Sequence, residues 1–170
     1  MSAVGSAVLV GMAEIQVIKG SGQLSCLGLG SCIGLCGFDP IANVAGMVHV
    51  MLPEAFQGKG DEKPGKFADT GVPALIAAMT KLGANPSRIV FAMAGGAQVF
   101  KFSANTESKL DIGSRNATAV QEKLRQQGLK LIAHDTGGNV GRTVTFTIET
   151  GIYTVRTVTS GEKTLCNLRG

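Results

Sequence analysis

The apolar residues of this chain fall in short runs that glycine and turn residues cut off, and only two stretches hold a helical period. Runs of roughly four to eight apolar residues between turn signals fit buried strands better than helices. Residues 31–38 and 44–52 are two such runs around "FDPIAN", whose Asp39-Pro40 starts a turn, so a β-hairpin is expected there. "EIQVIKG" reads as a strand through Ile15 and Val17 that turns at Gly20, and "RIVFAMAGG" as a buried strand closing on Gly95 and Gly96. Further strands are expected at "LKLIAHD", "TVTFTIET" and "YTVRTVT", the last two joined through Thr150-Gly151.

The helical stretches are distinct from these. "FADTGVPALIAAMTKLG" sets Val72, Leu75, Ile76, Met79 and Leu82 at helical spacing, with Asp69 or Thr70 as cap, Pro73 in the first turn and Gly83 as the stop. A second helix is expected from about Arg115 to Gln127, where Ala117, Val120 and Leu124 share a face and Gly128 ends the run. Many strands with two helices predict an α+β layered fold around a mixed or antiparallel sheet. At 170 residues one domain spanning 1–170 is expected.

Composition narrows the function classes. The net charge is +4, but the 16 Lys and Arg are scattered singly, with no basic stripe to track a nucleic acid. The apolar run Ala7–Ala13 is broken by Gly11, ends at Glu14 and has no Lys or Arg before it, which argues against a membrane span or an export signal. Four cysteines are too few to build a disulfide scaffold in a chain that is 44% hydrophobic, so reduced thiols in the cytoplasm are expected. Cys166, near the end, reads as a bystander.

Chemistry concentrates in "GLGSCIGLCGFDPIANVAGMVHV". Its Gly28-x-Gly30 resembles the start of a dinucleotide fingerprint, but the third glycine comes late and a strand follows. Cys26, Cys32, Cys36 and His49 are metal-ligand types, yet their spacing lacks the C-x2-C knuckle of structural zinc sites. Thiol chemistry is the remaining option. In extended chain Cys32, Gly34 and Cys36 share one face, as do Met47, His49 and Met51, and a hairpin can bring Cys32 to His49. An imidazolium would stabilise the thiolate, so Cys32 is expected to ionise below the free value of about 8.5 and to alkylate faster than Cys36. The Gly30-Ser31 turn could present backbone N–H groups to a developing oxyanion. Against this stands a plain core role for both residues, since free cysteine is among the most buried residue types. Cys36 is assigned to the core, and His134 is a weaker alternative base.

"LGLGSCIGLCGFDP", "GMVHVMLPE", "KPGKFADT", "AGGAQVF", "IGSRNA" and "HDTGGNVGRTV" occur in that order between Leu27 and Val144, and together they resemble the CheD chemoreceptor glutamine deamidases. The resemblance implies a three-layer α/β/β sandwich, similar to that of deamidating bacterial toxins. It also implies a cysteine hydrolase that converts glutamines on the cytoplasmic helices of methyl-accepting chemotaxis proteins to glutamate. By motif the nucleophile is Cys32 and the base His49. The third catalytic position, a threonine in the family, is Cys26 here. A thiol accepts hydrogen bonds poorly, so either the Cys26 carbonyl orients His49 or catalysis is weakened, and a Cys26–Cys32 disulfide acting as a redox lock is a third option. Neither a metal nor an organic cofactor is implied. Glutamyl methyl esters are a related substrate, a CheC-type phosphatase is an implied partner, and a flexible loop from Phe56 to Lys66 is expected to border the receptor groove. The rival expectation is a non-catalytic CheD-like adaptor that regulates that phosphatase.

Overall fold

β-Branched and small residues fill two neighbouring strands, β4 (Ile33–Asp39) and β5 (Val44–Val50), and every residue of both is buried. Such strands need cover on both faces. The computed structural model, which describes residues 7–54, 63–98 and 111–170, supplies it with helices on one side and a second sheet on the other. β4 and β5 pair antiparallel as the expected hairpin, with Gly34 opposite His49 and Cys36 opposite Met47.

They form the centre of a five-stranded sheet ordered β2-β5-β4-β6-β7, with β2 at Ile15–Lys19, β6 at Val90–Gly95 and β7 at Lys130–Thr136. The second sheet is ordered β1-β3-β8-β9-β10, from β1 (Ala7–Leu9), β3 (Gln23–Leu29), β8 (Arg142–Thr147), β9 (Ile152–Thr157) and β10 (Gly161–Asn167). Between the sheets lie Leu24, Cys26, Cys36, Phe38, Met47, Phe146 and Tyr153, with the Phe38 and Phe146 rings 5.0 Å apart. Tyr153 donates its buried hydroxyl to the Gly34 carbonyl at 2.8 Å, fixing one sheet over the other. On the opposite face of β4 and β5, Ile33, Leu35, Val48 and Val50 pack against α1 (Ala68–Lys81) and α2 (Ile112–Gln126). The result is the α/β/β layering that the family resemblance implies. No described helix is long and apolar enough to cross a membrane.

Several local expectations change. α1 begins at Ala68 with Phe67 as its cap residue, so Asp69 sits inside the first turn, and Pro73 falls in the second turn. Thr70 donates back to the Pro64 carbonyl at 2.6 Å instead of capping. α2 starts three residues before Arg115, where Asp111 accepts from the Ser114 N–H at 3.0 Å. Residues 56–62 of the expected flexible loop lie outside the described residues. Its end is docked: Pro64–Lys66 forms a 3-10 turn with Gly65 buried, and Lys66 accepts from the N–H groups of Met51 and Leu52.

Candidate active site

β3 leads through Gly30, Ser31 and Cys32 into β4, so Cys32 stands in the bend just before the strand rather than within it. The bend is strapped from behind by the end of β6. Ala97 N–H donates to the Gly30 carbonyl at 2.8 Å and Gly96 N–H to the Cys32 carbonyl at 2.9 Å. Only glycine allows this at position 95, whose φ is +118° and where a Cβ would lie 2.1 Å from the Cys32 oxygen. The Ser31 carbonyl accepts from Nδ2 of Asn116 on α2 at 2.9 Å, and the same amide nitrogen reaches the Met51 carbonyl, also at 2.9 Å.

Cys32 packs against the core between the sheets and is half-buried. His49 is 5% exposed and bonds toward the same layer. Because Gly34 is the direct partner of His49, Cys32 is its diagonal neighbour, a relation that spans about 7–8 Å between backbones and is within reach of side chains. Gly34 has no side chain to stand between them. Its place is taken from the other sheet by Leu29, Val144 and Cys26, whose side chains would lie 3.1, 3.1 and 3.3 Å from a Cβ at Gly34.

His49 Nδ1 lies 3.1 Å from the carbonyl of Val10. A carbonyl only accepts, so Nδ1 carries the proton and the neutral ring keeps its lone pair on Nε2. Val10 ends the pairing of β1 with β3 by donating to the Ser25 carbonyl at 2.8 Å, and the chain then crosses to the other sheet. There Ala13 donates to the His49 carbonyl and His49 N–H to the Glu14 carbonyl. The crossover therefore grips both the ring and the backbone of His49. Cys26 takes no part in this: its described bond runs to Met47 Sδ at 3.5 Å, and the orienting carbonyl is that of Val10 instead of its own. All four cysteines are free.

Burial sets the charge states. Desolvation lowers the His49 pKa below its ordinary 6.5, against the raising effects of the Val10 bond and the Glu14 charge. Desolvation also raises Cys32 above its ordinary 9.0. The resting pair is a neutral thiol and a neutral imidazole, which corrects the expectation that Cys32 ionises below about 8.5. Cys26, fully buried, is pushed up to about 12 by desolvation and by its neighbour Cys32. Cys36 is fully buried between the sheets, and desolvation raises its pKa well above the ordinary 9.0, as a core residue should show.

His134 lies on β7, in register with Met93 and, through it, with Leu35, well along the sheet from the Cys32 bend. It is exposed, and its ring nitrogen lies 3.4 Å from Thr136 Oγ1, so it does not join the site. Cys166 is half-buried on β10 against the core between the sheets. Among the described residues no three His, Cys, Asp or Glu side chains converge to hold a metal ion. Two contributors escaped the sequence reading. Val10 acts through its main chain, which leaves no residue signal. Asn116 did leave one, since it is a fully buried polar side chain on the same helix face as Val120 and Leu124.

Comparison with known proteins covers the same ground. Residues 51–157 match the family model described as CheD, chemotactic sensory transduction. A probable chemoreceptor glutamine deamidase CheD of Caldanaerobacter subterraneus is 47% identical over 91% of this chain and 94% of its own length. The chemoreceptor glutamine deamidase CheD of Thermotoga maritima is 46% identical over 91% of this chain and 94% of its own. A probable one from Symbiobacterium thermophilum is 46% identical over 92% of this chain. Overlaps this long take in positions 26, 32 and 49, which the family model does not reach.

Proposed function

The chain belongs to the CheD family, and we propose that it is a chemoreceptor glutamine deamidase in which Cys32 is the nucleophile and His49 the general base. The observation that supports this best is the Val10 carbonyl bound to His49 Nδ1, on the sheet face that Cys32 shares. A base whose Nδ1 is tied to a carbonyl and whose Nε2 keeps its lone pair is set up to take a thiol proton.

In this reading the Cys32 S–H proton passes to His49 Nε2 as the sulfur attacks the carboxamide carbon of a receptor glutamine. No preformed thiolate is required. The carbonyl oxygen becomes negative and is met by N–H groups of the Gly30-Ser31-Cys32 bend, whose carbonyls are held away by Ala97, Asn116 and Gly96. The imidazolium returns its proton to the nitrogen, the C–N bond breaks and ammonia leaves. A thioester remains. His49 then takes a proton from water, the hydroxide adds to the thioester carbon, and glutamate departs as the sulfur regains its proton. A glutamyl methyl ester would pass through the same acyl-enzyme with methanol as leaving group. The substrate helices are cytoplasmic, so the protein works in that compartment, and a CheC-type phosphatase is a further partner on this reading.

Incubation with receptor cytoplasmic fragments tests it. The expected result is a mass gain of about one dalton per converted glutamine, abolished by Cys32→Ala and by His49→Ala. Equal conversion by Cys32→Ala would exclude the mechanism. No conversion by the wild-type protein, together with retained binding to the phosphatase, would favour the adaptor.

A further inference from the structure

The β4–β5 ladder ends at the pair Ile33 and Val50. Beyond it the two strands still carry the residues that matter, with Cys32 one step past Ile33 and Met51 one step past Val50. No backbone pair joins them there. The gap is closed by one side chain: Asn116 Nδ2 donates to the carbonyl of Ser31 and to that of Met51, each at 2.9 Å. Both contacts are to carbonyls, which fixes the amide nitrogen as the donor and leaves Oδ1 as the other end. Oδ1 is buried and has no hydrogen-bond partner among the described residues.

An orphaned acceptor inside a protein is costly, so this amide is poorly explained as a device for stability. Its two donors, however, hold the residue before the sulfur to the residue two beyond the imidazole. The helix that carries it is seated closely enough to act as a rigid mount. One turn earlier Gly113 lies against Gly96 and Ala97, where a Cβ would come within 2.6 Å of backbone atoms. Those are the same residues that strap the Gly30-Cys32 bend from the other side.

We infer that Asn116 is a positioning residue of the deamidation reaction, a side-chain rung that continues the β4–β5 ladder and sets the Cys32–His49 separation. The inference rests on the Cys32–His49 reading above. It acts on the reacting geometry and leaves substrate binding alone, so its signature is in kcat and not in KM.

Asn116→Ala and Asn116→Ser are compared with the wild type for deamidation of receptor fragments, for Cys32 alkylation by iodoacetamide, and for cooperative thermal unfolding. The expected result for folded Asn116→Ala is a kcat at least about tenfold lower with KM within about twofold, and a changed alkylation rate. Asn116→Ser keeps one hydroxyl donor and should fall between the two, and it carries the test if the alanine variant does not fold. The inference is overturned if either folded variant keeps kcat within about twofold of wild type, or if KM rises while kcat holds. Cys32→Ala separates the two ideas. If it still deamidates, the Cys32–His49 reading fails and this one with it, whereas a dead Cys32→Ala beside an active Asn116→Ala removes this inference alone.

Discussion

His49 is buried and tied through Nδ1, so its protonation is the first event that acid imposes on the site. Deamidation should rise with pH through a midpoint below 6.5 and then level off, as an initial-rate profile would show. Cys32 behaves oppositely: its alkylation should still be climbing above pH 9.0, and a midpoint near or under the free-thiol value would restore the thiolate pair that burial argues against. The same His49 shift bears on stability. A histidine whose folded pKa is depressed is protonated more readily once unfolded, so stability is lost as pH falls below 6.5 toward the folded value. Cys26→Thr should keep activity within about threefold, because its sulfur does not hold the base, while lowering the melting temperature by a few degrees for the hydroxyl it buries. Alternation allowed Cys32 and His49 to meet but left a plain core role open for both, and their expected roles came from the family motifs. The Val10 carbonyl was not, because a main-chain acceptor has the same chemistry whatever residue carries it.

Among the elements, β1 and the crossover after it carry more than their length implies. A chain beginning at Gly11 would lose the Val10 carbonyl while retaining β2 to β10. Its deamidation rate should fall by about two orders of magnitude, with the His49 ring showing mixed tautomers in nitrogen NMR, and an unchanged rate would mean that the base needs no anchor. The strap at the end of β6 offers a second test. Gly95→Ala forces a Cβ into the Cys32 carbonyl at a φ reserved for glycine, and should cost both stability and at least about tenfold in activity. At this scale the sequence was only partly readable. The central hairpin and β6 stood out because their apolar runs are buried, whereas β7 was legible from its short apolar stretch although it alternates between exposed and half-buried. β3 was hidden by the glycines of "GLG" at its end, which read as turn, and β10 by its largely exposed, polar surface. The early start of α1 was obscured by Asp69 and Thr70, good cap residues that sit inside its first turn, where Thr70 bonds back to Pro64.

For the molecule as a whole, the layers meet through a few buried polar anchors. Asp39, at the end of β4, accepts from Arg88 and from the N–H groups of Asn85, Ala42 and Ile41. Burial alone would raise its pKa, but these donors hold it at about 2. It therefore contributes up to about 2 kcal/mol above pH 3.8, and that stability disappears as pH drops from there through about 2. Asp39→Asn should remove this acid transition from a denaturation series while leaving deamidation at neutral pH nearly unchanged. The layer arrangement itself came from resemblance, since period alone does not say how strands divide between two sheets.

His49 stands in one sheet, and the carbonyl that its ring binds follows β1 of the other. Three of the five strands of that second sheet, β8, β9 and β10, follow both helices in the sequence. A fragment ending before β8 should therefore hold the sulfhydryl and the imidazole and still convert no receptor glutamine.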